Sequence, residues 1–387
     1  MTAFDGAKTL ARLAELASGP LTEATASPPA MYHDPEVHAL ERRHIFAREW
    51  QCVGLAAEIA NPGDHLDFSL DDQPIFVVRG EDGVIRGFSN VCLHRCMRLI
   101  AGRGTAKKIV CPYHAWSYDL EGRLFGAPHM ARTPEFRVQN HALPAIRTEV
   151  WDGWIFATLD PNAAGVADRL APLAKVVGPY RMADYIPFAT QDHIWATNWK
   201  ILTENFMEGY HLPIAHRRTV GAWFPADDTQ FPPESFATFT YQTFTKDENA
   251  KYGRAHPDNQ RLEGRWRCTS VMPTIYPTLM YVLAPDHMWY LSLRPKSVDE
   301  VHVRFGAALA PEVLAALPDR ETYVKETVDF FDRVNAEDKI IVEAIHQSTK
   351  APLAAPGRLS WLEREIHDFQ GYLSRRLGAP RSLRAAS

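Results

Sequence analysis

The chain has 387 residues, of which 46% are hydrophobic and 23% are charged, and its formal net charge is −5. This length predicts two or three domains, and the mild negative charge gives no reason to expect nucleic acid or an anionic membrane as a partner. Because the sequence has no apolar run of the roughly 18 residues that a membrane span needs, no apolar leader and no disulfide framework among its five cysteines, we expect a cytoplasmic protein.

Two helices are predicted near the N-terminus. Leucines recur at helical spacing between residues 7 and 17. Asp34 and Pro35 then begin a second helix, with proline in its first turn, which we expect to run to about Trp50. We assign residues 1–45 to N-terminal helices that pack with a later, catalytic domain.

Residues 46–160 are predicted to form a compact antiparallel β domain. Short runs of β-branched and aromatic residues alternate there with turn signals such as Asn61-Pro62-Gly63. Two loops with paired cysteine and histidine residues project from these strands, and nearby glycines permit the tight turns that such loops need.

These two loops lie within residues 92–118. One residue separates Cys92 from His94, and two residues separate Cys111 from His114. Such pairs can hold either a tetrahedral zinc ion or a Rieske [2Fe-2S] cluster, in which two histidines replace two cysteines on one iron. A familiar zinc finger carries both cysteines in its first pair, whereas each pair here offers one cysteine and one histidine, which favours the cluster.

The stretch resembles the Rieske motif of ring-hydroxylating and related non-haem iron oxygenases, Cys-x-His-Arg…Cys-Pro-x-His-x-Trp-x-Tyr. The resemblance implies a [2Fe-2S] cluster on the four ligand positions, with the other matching side chains around it. The chain departs at Cys96 and Ala115, where the family commonly has glycine, and Cys96 is not expected to be a ligand. The matching positions are Cys92, His94, Arg95, Cys111, Pro112, His114, Trp116 and Tyr118.

Trp116 bears on the reduction potential of that cluster. Respiratory-chain Rieske proteins have a serine at this position, whose hydroxyl can hydrogen-bond a bridging sulfur, and such bonds raise the potential. Because tryptophan cannot supply that O–H group, we expect a low potential, which suits a donor of electrons to an oxygen-activating iron.

A second group of polar residues lies within 198–216. The apolar pattern predicts a helix that ends near Leu212, because Pro213 cannot continue its hydrogen bonding. Positions i, i+4 and i+7 of this helix would share one face. They are occupied by Glu204, Glu208 and His211.

His216 follows in the next turn and can reach back toward His211. Two neutral imidazoles and a carboxylate form the facial triad of non-haem Fe(II) oxygenases, although two histidines near a helix end are by themselves more often structural. The family's catalytic segment, Asp/Glu-x-x-His-x-x-x-x-His, matches Glu208, His211 and His216. The resemblance implies that the histidines bind a mononuclear Fe(II) and that Glu208 links the cluster of one subunit to the iron of its neighbour.

The third iron ligand is expected far along the chain. The family pattern Glu-Asp-x-x-x-x-Glu points to Asp338, with Glu337 as the main rival. A purely structural interpretation is also open, since Asn335 resembles an N-cap and acidic residues suit the first turn of a helix.

Residues 161–387 are predicted to form the catalytic domain. Long strands between 217 and 310 precede helices at 319–348 and 359–376, an order typical of helices laid on one antiparallel sheet. The resemblance implies a helix-grip domain. The expected fold class is therefore α+β, with a small all-β Rieske domain and a helix-grip catalytic domain.

The resemblance further implies the terminal component of a monooxygenase or dioxygenase that activates O2 at Fe(II). No flavin or pyridine-nucleotide motif is found in the sequence, so a separate flavin- or ferredoxin-type reductase is expected, and the family implies a homotrimer. A Rieske electron carrier without catalysis is a remote alternative, which the second site disfavours.

The expected substrate is a quaternary amine such as choline, carnitine or a betaine, whose hydroxylation leads to demethylation or C–N cleavage. The alternative is hydroxylation or O-demethylation of an aromatic acid. An aromatic cage would hold a trimethylammonium group by cation–π attraction, although aromatic residues on strands most often only pack the sheet. The candidates are Trp223, Phe224, Phe239, Tyr241, Tyr276 and Trp289.

Overall fold

The computed structural model describes residues 6–247, 249–250 and 253–378, which divide into two compact units. One unit spans Phe46–Arg169, and the other comprises the described residues up to Ile45 together with those from Leu170 onward. The second unit is therefore interrupted by the first. The predicted β domain, 46–160, lies within the unit that ends at Arg169.

The unit that spans Phe46–Arg169 is built from β-strands. Within its described residues, one antiparallel sheet has the strand order β1-β10-β9-β4-β3-β2-β5, and a smaller one has the order β6-β7-β8. One buried apolar cluster of this unit includes Val53, Phe68 and Ile155. A second buried apolar cluster packs against the two ligand loops. The strands are β1 Gln51–Leu55, β2 Asp64–Leu70, β3 Gln73–Arg79, β4 Ile85–Ser89, β5 Arg103–Thr105, β6 Ile109–Val110, β7 Ser117–Tyr118, β8 Leu124–Gly126, β9 Ala145–Trp151 and β10 Trp154–Thr158.

The other unit contains a second antiparallel sheet. Its order in the described chain is β11-β17-β16-β15-β14-β13-β12, so that consecutive hairpins carry the sheet from β12 to β17 and β11 returns to the far edge. Strands β14, β15 and most of β17 are buried along their length, as expected of the centre of a large core. The strands are β11 Ile186–Trp195, β12 Thr229–Gln230, β13 Phe239–Thr245, β14 Thr269–Ile275, β15 Leu279–Leu283, β16 His287–Pro295 and β17 Val301–Leu309.

Most of the described helices belong to the same unit as this second sheet, and one of them has 30 residues. In the described part of the chain no helix is long and apolar enough to cross a bilayer. The α-helices are α1 Gly6–Ser18, α2 Ala30–His33, α3 Pro35–Glu41, α4 Val166–Arg169, α5 Ala171–Val177, α6 Trp199–Met207, α7 Leu212–Ala215, α8 Pro311–Ala316, α9 Arg320–Thr349 and α10 Arg364–Leu377.

Helices α6 and α10 pack against the sheet through aromatic side chains. Phe206 of α6 meets Trp289 of β16 edge to face at 5.7 Å, and Phe369 of α10 packs on Tyr276 and Trp199. The α+β fold class expected from the order of strands and helices is confirmed.

The N-terminal helices belong to this same unit. His367 of α10 lies 3.2 Å from the backbone carbonyl of Leu16, and Gln370 donates to the carbonyl of Thr25. Helix α3 begins at Pro35, with Asp34 capping the backbone N–H of Glu36 at 2.7 Å. A single π-helical turn follows α3 and ends at residue 46, four residues short of the predicted end at Trp50.

A buried ion pair holds α6 against α3. The Lys200 ammonium lies 2.5 Å from Glu41, and the indole N–H of Trp199 donates to the other oxygen of that carboxylate at 2.8 Å. Burial alone would raise the pKa of Glu41, but the Lys200 charge and the hydrogen bonds from His38, Lys200 and Trp199 together outweigh burial and leave the pKa below its ordinary value. The ion pair and the indole hydrogen bond thus anchor the first turn of α6, which precedes the candidate iron ligands in the sequence.

Candidate iron centres

The two predicted cluster loops have the same backbone hydrogen bonding. In each loop the cysteine N–H donates to a carbonyl five residues ahead, and its carbonyl accepts from the N–H four residues ahead, with all four distances between 2.8 and 3.0 Å. The residues four positions after the cysteines, Cys96 and Ala115, have φ of 56° and 55°. These are the two positions where the family commonly has glycine, the residue that tolerates this left-handed conformation best.

The loops bring the four predicted cluster ligands together. Cys92 and Cys111 are almost fully buried, and burial raises the pKa of the Cys92 thiol. The rings of His94 and His114 lie 4.6 Å apart, and Nδ1 of His94 is buried without a hydrogen-bond partner among the described residues. A buried ring nitrogen without a partner is costly, so this donor set fits a bound cluster.

Three further side chains flank these ligands. The indole of Trp116 stacks on His94 at 4.8 Å with the two rings within 8° of parallel. The Tyr118 hydroxyl lies 3.4 Å from Sγ of Cys92 and accepts the backbone N–H of Leu93. Arg95 is more distant and contacts the hydroxyl and ring of Tyr113. Trp116 and Tyr118 therefore hold ligand residues directly, whereas Arg95 lies on the exposed edge.

The helix predicted to reach Leu212 is interrupted. Helix α6 ends at Met207, and Glu208 has the extended backbone angles φ −118° and ψ 146°. Pro213 does not terminate a helix but lies in the first turn of α7, where its missing N–H costs nothing. The prediction that Glu204, Glu208 and His211 share one helix face was therefore wrong.

This interruption positions the two histidines. His211 immediately precedes α7, and His216 immediately follows it. Their rings meet edge to face at 5.1 Å, and one ligand atom from each of His211, His216 and Asp338 lies within 4.8 Å of the others. Asp338 Oδ1 is 3.0 Å from Nε2 of His216 and 3.7 Å from Nε2 of His211. These three residues fit the two-histidine, one-carboxylate set that binds non-haem iron.

Glu337, the rival of Asp338, contacts the opposite nitrogen of His216. Its carboxylate lies 2.8 Å from Nδ1 of His216 and accepts the Thr219 hydroxyl at 2.6 Å. Burial lowers the pKa of His216, but the Asp338 and Glu337 carboxylates outweigh burial and leave it above its ordinary value. A carboxylate on the outer nitrogen of a histidine ligand fixes the tautomer and orients the ring.

One contact at this site was not predicted from the sequence, and the role of one other residue was predicted wrongly. Asn205 donates to Asp338 at 2.9 Å, a contact that the sequence did not predict. Asn335 is not an N-cap, because it lies inside α9, which begins at Arg320 with Asp319 as its cap. Neither the position of Asn205 on α6 nor its neighbours in the sequence indicate that its partner lies on α9.

Glu208 lies beside His211. One of its carboxylate oxygens bonds Nδ1 of His211, and the other accepts the backbone N–H groups of Tyr210 and His211. Glu208 is 9% exposed. It therefore orients its own histidine in the way that Glu337 orients His216.

The triad borders a small cavity of about 30 Å3. Phe224 and Trp289 from the predicted aromatic set contribute to its wall, and Trp223 lines an adjoining cavity. The other three candidates lie elsewhere: Phe239 and Tyr241 stack with Phe236, and Tyr276 stacks on Tyr372 of α10. The cavities beside the triad thus contain half of the predicted aromatic cage.

The two histidine-bearing sites and the helix-flanked antiparallel sheet are together typical of the Rieske-type non-haem iron oxygenases. The chain belongs to the family described as the ring hydroxylating alpha subunit (catalytic domain), whose model matches residues 181–379. Residues 49–137 match the Rieske [2Fe-2S] domain. The resemblance inferred from the motifs is therefore confirmed, and these domains imply a Rieske cluster and a mononuclear iron.

Several characterised proteins are similar to this chain. The glycine betaine monooxygenase oxygenase subunit of Chromohalobacter salexigens is 38% identical over 53% of this chain, and the carnitine monooxygenase oxygenase subunit of Escherichia coli K12 is 36% identical over 50%. The chain spans only about half the length of these relatives, 46% and 53% respectively. The chloroplastic choline monooxygenase of Arabidopsis thaliana is 26% identical over 92% of this chain and 84% of its own length.

Solved structures share the fold. A quaternary ammonium Rieske monooxygenase in complex with L-carnitine has a TM-score of 0.78 at 24% identity, over 93% of this chain and 97% of that one. A naphthalene 1,2-dioxygenase from a Rhodococcus species has a TM-score of 0.77 at 21% identity, over 96% and 98%. At these identities the likeness concerns the fold alone.

Proposed function

We propose that this chain is the terminal oxygenase component of a Rieske monooxygenase that acts on a small quaternary amine. The observation that carries the proposal is the convergence of His211, His216 and Asp338 beside a cavity walled by Phe224 and Trp289. Ferrous iron at the triad would activate O2, with electrons supplied through a [2Fe-2S] cluster on Cys92, His94, Cys111 and His114.

The protein's own residues would prepare these sites. Glu337 and Glu208 hold the outer nitrogens of the two histidines, which leaves both Nε2 atoms directed toward Asp338. In the cluster loops, Trp116 fixes the plane of the His94 ring. We also propose that Glu208 connects the iron site of one subunit to the cluster loop of a neighbouring subunit.

The substrate class rests on the relatives and on the cavity. Two of the relatives that exceed 35% identity are named as oxygenases of glycine betaine and carnitine. Phe224 and Trp289 offer aromatic faces that attract a trimethylammonium group once it is desolvated. The same aromatic walls would also receive an aromatic acid, which is the second candidate substrate class.

The proposal includes partners that the chain requires. The sequence contains no flavin or nicotinamide motif, so a separate reductase supplies the electrons. The working assembly is a homotrimer in which Glu208 lies at a subunit boundary. The absence of a disulfide framework among the five cysteines favours the cytoplasm as the compartment.

Activity on defined substrates tests the proposal. Protein loaded anaerobically with iron and sulfide is mixed with a reductase, NADH and O2. Substrate loss and the release of formaldehyde or trimethylamine are then measured with glycine betaine, carnitine, choline and 4-methoxybenzoate. We expect a red-brown protein with a low-potential Rieske EPR signal and substrate-dependent product only from the quaternary amines. Product from 4-methoxybenzoate alone would show that the substrate is an aromatic acid. A colourless protein with stoichiometric zinc would refute the oxygenase assignment.

A further inference from the structure

A second cavity adjoins the triad. It has a volume of about 160 Å3 and shares Val220, Phe224 and Trp289 with the smaller cavity at the triad. Both cavities are well below the roughly 300 Å3 at which pockets for drug-sized ligands begin. A ligand that enters these cavities is therefore a small molecule.

Lys246 is the distinctive residue of the larger cavity. Its other described lining residues are aromatic, aliphatic or hydroxyl-bearing, apart from His287. Burial lowers the pKa of His287, which favours the neutral form of that imidazole. Among the described lining residues, Lys246 thus supplies the only full charge, and that charge is positive.

Lys246 retains hydrogen-bonding capacity. Its ammonium lies 2.5 Å from Asp228, and the side chain of Lys246 is 14% exposed against 32% for Asp228. An ammonium has three donors, and within the described residues Asp228 is the only side chain that accepts one of them. Asp228 is not among the lining residues of the cavity, so the carboxylate that pairs with Lys246 adds no negative charge to the described cavity wall.

We propose that Lys246 binds a carboxylate group of the substrate, so that the enzyme selects a zwitterionic betaine over a quaternary amine without a carboxylate, such as choline. This inference rests on the proposed function and specifies its substrate. The quaternary ammonium end lies against Phe224 and Trp289 beside the triad, and the carboxylate end reaches Lys246. The two ends of the substrate would thereby meet groups of matching chemistry in two adjoining cavities.

Ligand pairs that differ in a carboxylate test this inference. Dissociation constants are measured by calorimetry on the holoenzyme for glycine betaine against choline, and for benzoate against benzamide. The variants are Lys246→Met, which keeps the length of the side chain but removes its charge, and Lys246→Arg, which keeps the charge. Lys325→Met serves as the control, since it breaks an exposed lysine–aspartate pair on α9 outside both cavities.

We expect Lys246→Met to weaken glycine betaine binding by about 10- to 100-fold, the range for loss of a charge-assisted hydrogen bond. Choline binding should change less than about twofold, Lys246→Arg should keep most of the preference, and Lys325→Met should keep all of it. Equal weakening of betaine and choline in Lys246→Met would reduce the lysine to a structural role and overturn the inference. The inference would also be overturned if glycine betaine bound no better than choline, and benzoate no better than benzamide, in the parent enzyme.

The benzoate pair separates this inference from the proposed function. If benzoate is preferred over benzamide and loses that preference in Lys246→Met while no quaternary amine is bound, the carboxylate site stands and the proposed amine substrate fails. If quaternary amines are turned over without a preference for the carboxylate, the proposed function stands and the Lys246 inference fails.

Discussion

Asp338 and Glu337 are neighbours in sequence, yet they contact opposite nitrogens of one imidazole. Asp338 approaches Nε2 of His216, on the side that faces His211, whereas Glu337 approaches Nδ1. We therefore expect Asp338→Ala to lose the mononuclear iron and all turnover, while the cluster spectrum is unchanged. Glu337→Gln should keep measurable iron with about 10- to 100-fold weaker affinity, as for other partners of metal-bound histidines.

Iron content by plasma emission and the EPR signal of the cluster distinguish these outcomes. If Glu337→Gln loses iron completely and Asp338→Ala retains it, the two carboxylates have the reverse roles.

Glu208 offers a second test at the scale of one residue. Its two oxygens serve His211 Nδ1 and two backbone N–H groups. Glu208→Gln preserves the shape and one acceptor oxygen but removes the charge, so we expect both metals and the oligomer to remain while turnover falls at least tenfold. In single-turnover experiments with substrate and O2, oxidation of the reduced cluster should slow by the same factor. Cluster oxidation at the parental rate would leave Glu208 with an orienting role only.

The Glu204 carboxyl group should make the free energy of unfolding depend on pH. Burial, together with the nearby Glu363 charge, raises its pKa from 4.5 to about 7, against the hydrogen bond from Tyr32 and the attraction of Lys200. A carboxyl group whose folded pKa is raised contributes its stability below the unfolded pKa and loses it as the pH passes the folded value. The unfolding free energy should therefore fall between about pH 5 and about pH 8.

Glu204→Gln should remove that part of the pH dependence. Urea unfolding of the parent and of the variant across this pH range gives the difference, and Glu23→Gln, at an exposed position, provides the control. Parallel curves for the parent and Glu204→Gln would show that this carboxyl group ionises normally in the folded protein.

At the scale of elements, the short helix α7 sets the distance between the two candidate histidine ligands, which flank it. Gly221 packs against its C-terminal end, and its N–H donates to the His216 carbonyl at 2.9 Å. A Cβ at this position would lie 2.8 Å from that same carbonyl oxygen and would also collide with the carbonyl of Leu212. Because backbone cannot move aside as a flexible side chain can, Gly221→Ala should displace His216 and lower iron occupancy severalfold.

Gly209→Ala is the matched control for this prediction. Gly209 lies in the same segment, but the nearest atoms to its added Cβ are 3.8 Å away, which is ordinary contact. Iron content and thermal midpoint should remain near those of the parent. If both alanine variants lose iron alike, the segment is sensitive to any substitution and the packing of Gly221 carries no special role.

Local patterns in the sequence predicted most of these elements but not their interruptions. The cluster loops could be predicted because each ligand pair is local and its hydrogen bonding closes within six residues. Helix α6 was extended too far because the apolar periodicity continues past Met207, and Pro213 is as compatible with a helix start as with a helix end.

Contacts between distant segments were harder to predict. The carboxylate at position 338 could be predicted only through the family pattern, since more than 120 residues separate it from His216. Half of the aromatic candidates lie away from the triad for a related reason. Strand alternation indicates that two neighbouring residues face opposite sides, but it does not say which side borders the cavity. Phe239 and Tyr241 accordingly lie in a stack with Phe236 rather than beside the triad.

At the scale of the whole molecule, the proposed trimer makes a prediction about mixed subunits. Cys92→Ser removes a cluster ligand and Asp338→Ala removes an iron ligand, so each variant alone should be inactive. If electrons cross between subunits, co-expression of the two should restore activity in trimers where an intact cluster faces an intact iron site. Light scattering confirms the assembly, and product formation per total iron measures the recovery.

The control combines Cys92→Ser with the double variant Cys92→Ser/Asp338→Ala, which contains no intact cluster and should give no product. A mixture of the single variants that stays inactive although trimers form, or a fully active monomer, would contradict transfer between subunits.

The β unit is inserted into the chain of the other unit, and this has a consequence for biosynthesis. Its two ends are tied together, since Arg169 pairs with the buried Glu49 and Trp50 donates to the carbonyl of Ala164 at 2.8 Å. The insert can therefore fold as soon as it leaves the ribosome, whereas α1 must wait for α10, about 350 residues later, before its apolar face is covered. Acquisition of the iron–sulfur cluster can precede completion of the iron-binding unit. A ribosome-stalled chain that continues past Arg169 with a linker long enough to clear the exit tunnel should therefore already be protease-resistant between residues 46 and 169.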